Sequence, residues 1–283
     1  MSEVTFHGVD VGRVEPGEGL VERIVETTGA EYPLQDGDVV VLTTKVVSIA
    51  EDRLVEVETI EVSERAQEIA DVTGLDPREV ALIEAESEIK GAVPIAEAAE
   101  DHLLAHAADP QRAQAAMDTM PTALVTERNG RLCTNAGVDW SNAPPGQIAL
   151  LPEDPDASAR AIREGIEERT GREVAVVLAD SEIMGAGTMD VAIGVSGIEA
   201  IDAEYGREDL YGQPKPGGMD MLASELTAGA ALLFGQADEQ TPAVVVRGLD
   251  YERGEGLQGS ADVFAQGLPK ALEMTSRLNL VDR

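Results

Sequence analysis

Lysine is almost missing from this chain of 283 residues: Lys45, Lys90, Lys215 and Lys270 are all there are. Basic side chains number 21 against 54 acidic ones, for a formal net charge of −33. Nucleic-acid binding is excluded on that ground, because neutralising a phosphate backbone takes clustered Lys and Arg. Cysteine occurs once, at Cys133, so no internal disulfide can form, and a small buried hydrophobe is the reading it supports. No run approaches the roughly 18 uncharged apolar residues of a membrane helix, so no membrane partner is expected. The start MSEVTFHGVD has neither the basic opening nor the apolar stretch of a signal peptide, and a cytoplasmic place is expected. Also lacking are a P-loop GxxxxGK(S/T) and a GxGxxG after a strand, so the usual nucleotide folds are not supported.

What is present suffices for a sizeable core. An apolar share of 43% can fill one large domain, or two interleaved subdomains. The acid is spread along the whole chain, which reads as a solvated surface and not an interaction tail. With lysine so scarce, such a surface suits high salt, where screening suppresses self-repulsion.

The spacing of Leu20, Ile24 and Val25 predicts a helix over 19–28, followed by the turn Gln35-Asp36-Gly37-Asp38. The run from Val39 to Ile49 is nearly continuous in β-branched residues, as a strand buried on both faces would be, and Lys45 interrupts it. A lysine there is either an anion ligand or an edge residue snorkelling to water. Residues 63–118 read as helices broken near Gly74, Gly91 to Pro94 and Asp109-Pro110. His102 and His106 share one helical face, but without an HExxH glutamate a solvated surface is favoured over a metal pair. A hairpin is expected from Ala123 to Asp139, turning at Asn129-Gly130. Asp154, Pro155 and Gly171 read as the cap, first turn and stop of a helix. The buried strand Val174 to Ala179 ends in Asp180-Ser181, and a strand is expected at Val191 to Val195. A helix over 219–234, a strand over 243–246 and a helix over 260–277 complete an interleaved α/β pattern, mixed in the sense of α+β, with no repeat and no linker.

Polar groups at the ends of apolar strands project into crevices while the strands hold them rigid. Two places fit. Asn135-Ala136-Gly137-Val138-Asp139-Trp140-Ser141-Asn142 gathers amides, a carboxylate and a hydroxyl around one glycine, and Asp180-Ser181 follows a buried strand. Aspartate with serine or threonine oxygens suits Mg²⁺ or Mn²⁺ shared with nucleotide phosphates. Either segment alone is also an ordinary Asx turn.

At these residues the chain resembles the coenzyme F420-0:γ-glutamyl ligase family. Residues 135–142 look like its NAG(V/I)D-x-SN segment, Leu151 to Ala159 its LPxDPDxSA run, and Asp190 to Gly197 its VAIGVxG strand. Gly206 to Gly212 and Pro242 to Gly248 continue the match in order, and near the start Asp36 to Val39 and Thr44 to Glu51 are similar to its GD…K(I/V)VSKAEG segment. The resemblance implies a mixed α/β fold in an intertwined homodimer, and an acid–amino-acid ligase that adds L-glutamate to F420-0. It implies GTP as co-substrate, two divalent ions, Mn²⁺ or Mg²⁺, and K⁺ as an accessory ion. Asp139, Asp180, Ser181 and Gln236 would hold the metals. Val11, Gly12, Arg13, Val14, Thr44, Lys45, Asn142, Phe234, Gly235 and Ala237 would hold GTP. The γ-phosphate would activate the acceptor as an acyl phosphate, which the amine of glutamate displaces; no side-chain nucleophile is needed, and no catalytic residue is assigned.

Departures from the family's pattern bear on the acceptor. Where the family has GR, two residues and another Arg after its Asp-Thr, this chain reads Asp180-Ser181-Glu182-Ile183-Met184, with both arginines gone. Ile49 replaces the lysine of SKAEG, residues 91–122 form a longer, alanine-rich helical insertion, and no room remains for a C-terminal nitroreductase-like domain. Two alternatives follow: a paralogue with another carboxylate acceptor, and a non-catalytic nucleotide-binding scaffold.

Overall fold

The computed structural model describes residues 3–184, 187–216, 219–235, 239 and 241–257. In chain order these form β1 (Thr5–Val9), α1 (Leu20–Glu31), β2 (Val39–Thr43), α2 (Thr44–Ala50), β3 (Leu54–Glu56), α3 (Glu64–Thr73), α4 (Pro77–Glu86) and β4 (Glu88–Val93). There follow α5 (Ile95–His106), α6 (Pro110–Thr119), β5 (Ala123–Arg128), β6 (Arg131–Thr134), β7 (Gln147–Ala149) and α7 (Pro155–Thr170). Last come β8 (Ala175–Met184), β9 (Gly187–Ser196), β10 (Asp202–Ala203), β11 (Met219–Asp220), α8 (Leu222–Phe234) and β12 (Ala243–Arg247). Helices and mixed sheets make an α/β fold, as expected. The helix expected over 260–277 lies outside the described residues, and among them no helix is long and apolar enough to cross a membrane.

The chain divides into two compact units, one made of Met1–Arg53 with Pro152–Arg283, the other of Leu54–Leu151. The first is built on a five-stranded sheet in the order β1-β12-β2-β8-β9. Only β2 and β8 run parallel, with Val39 opposite Ala175 and Thr43 opposite Ala179. Val39 to Leu42 and Ala175 to Leu178 are wholly buried, which is why both strands read as unbroken apolar runs: each is covered on two faces. On one face Val39, Val41, Ala175, Val177 and Ala179 pack with Ala223, Leu226, Ala230 and Phe234 of α8. At the N-terminus of α7 the Asp154 carboxylate accepts from the Ala157 amide at 3.0 Å, Pro155 fills the first turn and Gly171 ends the helix with a φ of 68°. A Cβ at Gly194 would stand 2.4 Å from the Pro155 carbonyl oxygen, so only glycine lets α7 start this close to β9.

Two expectations need correction here. The strand foreseen over 39–49 stops at Thr43, and Thr44 to Ala50 are helical. Thr44, Val47 and Ser48 stand at helical spacing and are all buried, and burying that face outweighs the strand preference of β-branched residues, which is worth about 1 kcal/mol at most. Lys45 therefore sits in the first turn of α2 and interrupts no strand. Asp180 and Ser181 do not follow β8 but lie inside it, because β8 continues as one arm of a long hairpin with β9. The register shifts where Leu178 pairs Gly194 and Ala179 pairs Ala192, leaving Ile193 as the extra residue.

The second unit combines an antiparallel sheet β4-β5-β6 with the pair β3-β7. Its core joins Ala66 and Ala70 of α3, Val80 and Ile83 of α4, and Leu124, Ala136, Val138, Ile148 and Leu150. Asn129 and Gly130 both have positive φ, 53° and 74°, as the expected two-residue hairpin requires. Helical pieces stand near the places foreseen, except that Glu88–Val93 is a strand paired with β5. Helix α5 buries none of its residues and α6 buries only Met117. His102 and His106 are exposed with ring centroids 4.4 Å apart, and His106 Nδ1 lies 2.8 Å from the His102 carbonyl.

Candidate metal and nucleotide site

In the first unit, the parallel register carries Thr44 and Asp180 side by side out of the last β2–β8 pair. The Thr44 hydroxyl donates to Asp180 Oδ1 at 2.7 Å. Thr44 is 3% exposed while Asp180 is half-buried, so the carboxylate is held from below by a fixed donor. The pair marks the end of the parallel β2–β8 pairing, where β2 stops and β8 continues into its hairpin with β9. Lys45 is the next residue of α2 and is half-buried.

Ser181 does not share this face. Neighbours along a strand point to opposite sides, and the Ser181 hydroxyl donates to Asp190 Oδ1 at 2.6 Å. Asp190 is 5% exposed, and its carbonyl accepts from the Thr227 hydroxyl of α8 at 2.9 Å. The Ser181 hydroxyl thus belongs to the α8 side of the sheet, and the metal role expected of that side chain is not supported by its direction.

The loop Val11-Gly12-Arg13-Val14 is braced. Its two valines are buried, Gly12 has a φ of 66°, and the Gly12 amide donates to Asp10 Oδ1 at 2.9 Å. Arg23 donates to the Val11 carbonyl at 3.1 Å and to Glu18 at 2.7 Å. The Glu15 amide and then Arg23 hold the Glu18 carboxyl below the usual range. Burial of both valines leaves Gly12 and the exposed Arg13, paired with Glu15 at 2.8 Å, as the groups a ligand could reach. Phe234 is buried at the end of α8 and Gly235 turns the chain with a φ of 70°. Gln236 and Ala237 lie outside the described residues.

In the second unit, Asn135, Ala136 and Gly137 are three successive left-handed residues, with φ of 50°, 54° and 68°. Left-handed alanine is disfavoured, and buried hydrogen bonds hold the turn. Asn135 Oδ1 accepts from the Leu124 amide at 2.7 Å. The Ala136 amide donates to the Thr126 hydroxyl at 2.9 Å, and that hydroxyl donates to the Cys133 carbonyl at 2.9 Å. A Cβ on Gly137 would meet Leu151 at 2.4 Å. The turn delivers Asp139 to an isolated bridge with Ala149, whose amide and carbonyl it engages at 3.0 and 3.1 Å. The Asp139 carboxylate accepts from the Ser141 amide at 2.7 Å and from its hydroxyl at 2.6 Å. Asn142 follows with a φ of 54°, a conformation asparagine tolerates better than most.

Sequence reasoning missed Glu79. It is 3% exposed and accepts from Trp140 Nε1 at 2.9 Å. Burial above all raises its pKa, against the lowering effect of the Trp140 hydrogen bond. Its signal is masked, because Asp76-Pro77-Arg78-Glu79 reads as a local capping box.

As donors for a hard cation these groups fit. Asp180 with Thr44, and Asp139 with Ser141, are each a carboxylate with a hydroxyl, the oxygens Mg²⁺ and Mn²⁺ take. Among the described residues no group of three or more His, Cys, Asp or Glu gathers as a metal site, so phosphate oxygens and water would complete the shell, as is usual for Mg²⁺.

The family model for F420-0:Gamma-glutamyl ligase matches residues 8–248. The coenzyme F420:L-glutamate ligase of Methanopyrus kandleri is 39% identical over 251 residues, 86% of this chain and 87% of that protein. The enzyme of that name from Archaeoglobus fulgidus is 36% identical over 253 residues, 86% of this chain and 91% of its own. That of Haloarcula marismortui is 33% identical over 250 residues, 85% of each. With both buried strands and the Asn135–Asn142 turn inside the matched span, the chain belongs to the F420-0:gamma-glutamyl ligase family.

Proposed function

We propose that this ligase joins L-glutamate to coenzyme F420-0 through an amide bond, consuming GTP with Mg²⁺ or Mn²⁺. The observation that carries the reading is the Thr44–Asp180 hydrogen bond just past the last parallel β2–β8 pair, in a chain whose relatives are named coenzyme F420:L-glutamate ligases. Asp139, Asp180 and Gln236 would serve as metal ligands, with Thr44 fixing the Asp180 carboxylate and Ser141 that of Asp139. Bound there, the cation would neutralise charge developing on the phosphoryl oxygens. Gly12, Arg13, Lys45, Asn142, Phe234 and Gly235 would serve as nucleotide-binding groups.

In the reaction an oxygen of the acceptor carboxylate attacks the γ-phosphorus, the bond to the β-phosphate oxygen breaks, and GDP leaves. The amine of glutamate then attacks the acyl carbon, loses a proton, and expels phosphate as the amide forms. Fixed donors such as Thr44 serve this chemistry because they need no reorganisation as charge develops. We take the enzyme to be a homodimer that works in the cytoplasm, in concentrated salt and with K⁺ present.

A second acceptor is favoured by one feature. Where the family carries Gly-Arg, this chain has Glu182, 8% exposed, and Ile183 at 44%, an arm that lacks the bidentate donors suited to a phosphodiester or carboxylate-rich substrate. Turnover of GTP in molar KCl with Mn²⁺ or Mg²⁺, L-glutamate, and either F420-0 or no acceptor, with products read by mass spectrometry, tests both. Glutamylated F420 establishes the proposed activity. Binding of GTP without that product moves the acceptor elsewhere, and no nucleotide binding overturns the ligase reading.

A further inference from the structure

We propose that Glu79 and Trp140 form a clamp that positions the Asp139–Asn142 segment for the metal and nucleotide. Trp140 stands between Asp139 and Ser141, and its indole N–H is tied to a carboxylate on a different element, at 2.9 Å. Glu79 lies in the first turn of α4 and is 3% exposed, so it cannot move to follow the segment. The backbone of Asp139 is fixed on one side by Ala149, and its carboxylate is turned by Ser141. Beyond Asp139, where Asn142 holds a left-handed conformation, Trp140 adds two ties: its side chain goes to Glu79, and its carbonyl accepts from the Ala143 amide at 3.5 Å.

A local capping role does not account for Glu79. A capping-box glutamate reaches back to the amide of its own cap residue, whereas here Asp76 caps the helix through the Arg78 amide at 2.8 Å and Glu79 faces Trp140. A buried carboxyl is costly unless it is hydrogen-bonded; a surface tryptophan needs no such partner. The cost is explained if the indole must be held in one orientation. Glu79 and Trp140 are thus positioning residues that act through Asp139 and Asn142, and their role rests on the reading of those two as metal and nucleotide groups.

Trp140 is the only tryptophan of the chain, so it supplies a single indole N–H signal in an ¹⁵N spectrum of the intact protein. In the wild type, Mn²⁺ with GTP should broaden that signal and Mg²⁺ with GTP should not. Glu79→Leu should raise the half-saturating Mn²⁺ concentration about tenfold, as loss of a residue that orients a ligand does, and raise the KM for GTP, with the KM for L-glutamate unchanged. Trp140→Phe, which removes the same hydrogen bond from the other side, should match it, and the double variant should be no worse than either single one. Glu79→Gln, which keeps an acceptor oxygen, should restore wild-type Mn²⁺ and GTP dependence. If Glu79→Leu does not fold, Trp140→Phe carries the test. An unchanged Mn²⁺ and GTP dependence in a folded variant overturns the clamp while leaving the metal assignment intact. A wild-type signal insensitive to Mn²⁺ with GTP overturns the assignment of Asp139, and the clamp with it.

Discussion

The two compact units hold their candidate groups by different means. In the first, Thr44 and Asp180 leave strands whose residues Val39 to Leu42 and Ala175 to Leu178 are wholly buried, so apolar packing sets their spacing. In the second, Asp139 follows a left-handed turn held by Thr126 and Asn135 and precedes Trp140, which is tied to Glu79; these three polar groups are at 0%, 4% and 3% exposure. Apolar packing is non-directional, and changes that conserve volume cost little. A buried polar network fails when one member is removed, because the partner left behind keeps its full desolvation penalty. The first unit should therefore lose stability before it loses ligand geometry, and the second should lose both together.

The largest expected effect comes from the carboxylates. Asp180→Asn and Asp139→Asn should each lower product formation by at least about 100-fold with folding intact, by analogy with removal of a fixed group that stabilises transition-state charge. Retention of activity in one of them would remove that unit from the chemistry and dissolve the comparison. Next, Leu178→Ala should cost about 3 kcal/mol by urea unfolding and leave the half-saturating Mn²⁺ concentration unchanged. Asn135→Ala should cost less, about 2 kcal/mol for the unpaired Leu124 amide, yet raise that concentration. Equal shifts in metal dependence from both would show that the two modes of support do not differ.

Smaller again, Thr44→Val keeps the buried volume but removes the hydroxyl from Asp180. A hydrogen bond to a charged group is worth roughly 2 kcal/mol, so we expect a rise of up to about 30-fold in the KM for GTP, with stability lowered by no more than about 2 kcal/mol. The smallest effect concerns acid. Burial raises the folded pKa of Glu79 above its ordinary value of 4.5, so its contribution to stability is complete below 4.5 and is lost as the pH rises through the folded value. Measured against Glu79→Gln, the wild-type urea midpoint should fall relative to the variant as the pH rises from below 4.5 to neutral. A constant difference would show that Glu79 is ionised in the fold as it is in the unfolded chain.

What was legible in the sequence is local. Asp154, Pro155 and Gly171 bound α7 because caps act within one turn, and Asn129-Gly130 marks its hairpin because two residues carry the required backbone angles. The helix at Thr44–Ala50 was hidden because its valines and isoleucine favour a strand until the fold buries one helical face. Strand β4 was hidden among helical pieces by Gly91 and a register shift beside it. At the site, the oxygen-rich segments around Asp139 and Asp180 were visible, but their partners were not. Thr44 meets Asp180 across 136 residues and Trp140 meets Glu79 across 61, and no periodicity spans such distances. The opposite directions of Asp180 and Ser181 follow only from finding both inside one strand.

The insertion of the second unit between Arg53 and Pro152 also sets an order of events during synthesis. Strand β2 cannot meet its parallel neighbour until β8 has left the ribosome, 136 residues later by the Thr44–Asp180 spacing, and its other neighbour, β12, is later still. At elongation speeds of about 5–20 residues per second, that wait is on the order of 10 s. Throughout it, Val39-Val40-Val41-Leu42 is an unpaired apolar strand on a nascent chain, a segment of the kind that aggregates when exposed. The inserted unit has all of its residues first and can fold within the wait, which brings Arg53 and Pro152 together and shortens the loop that β8 must close.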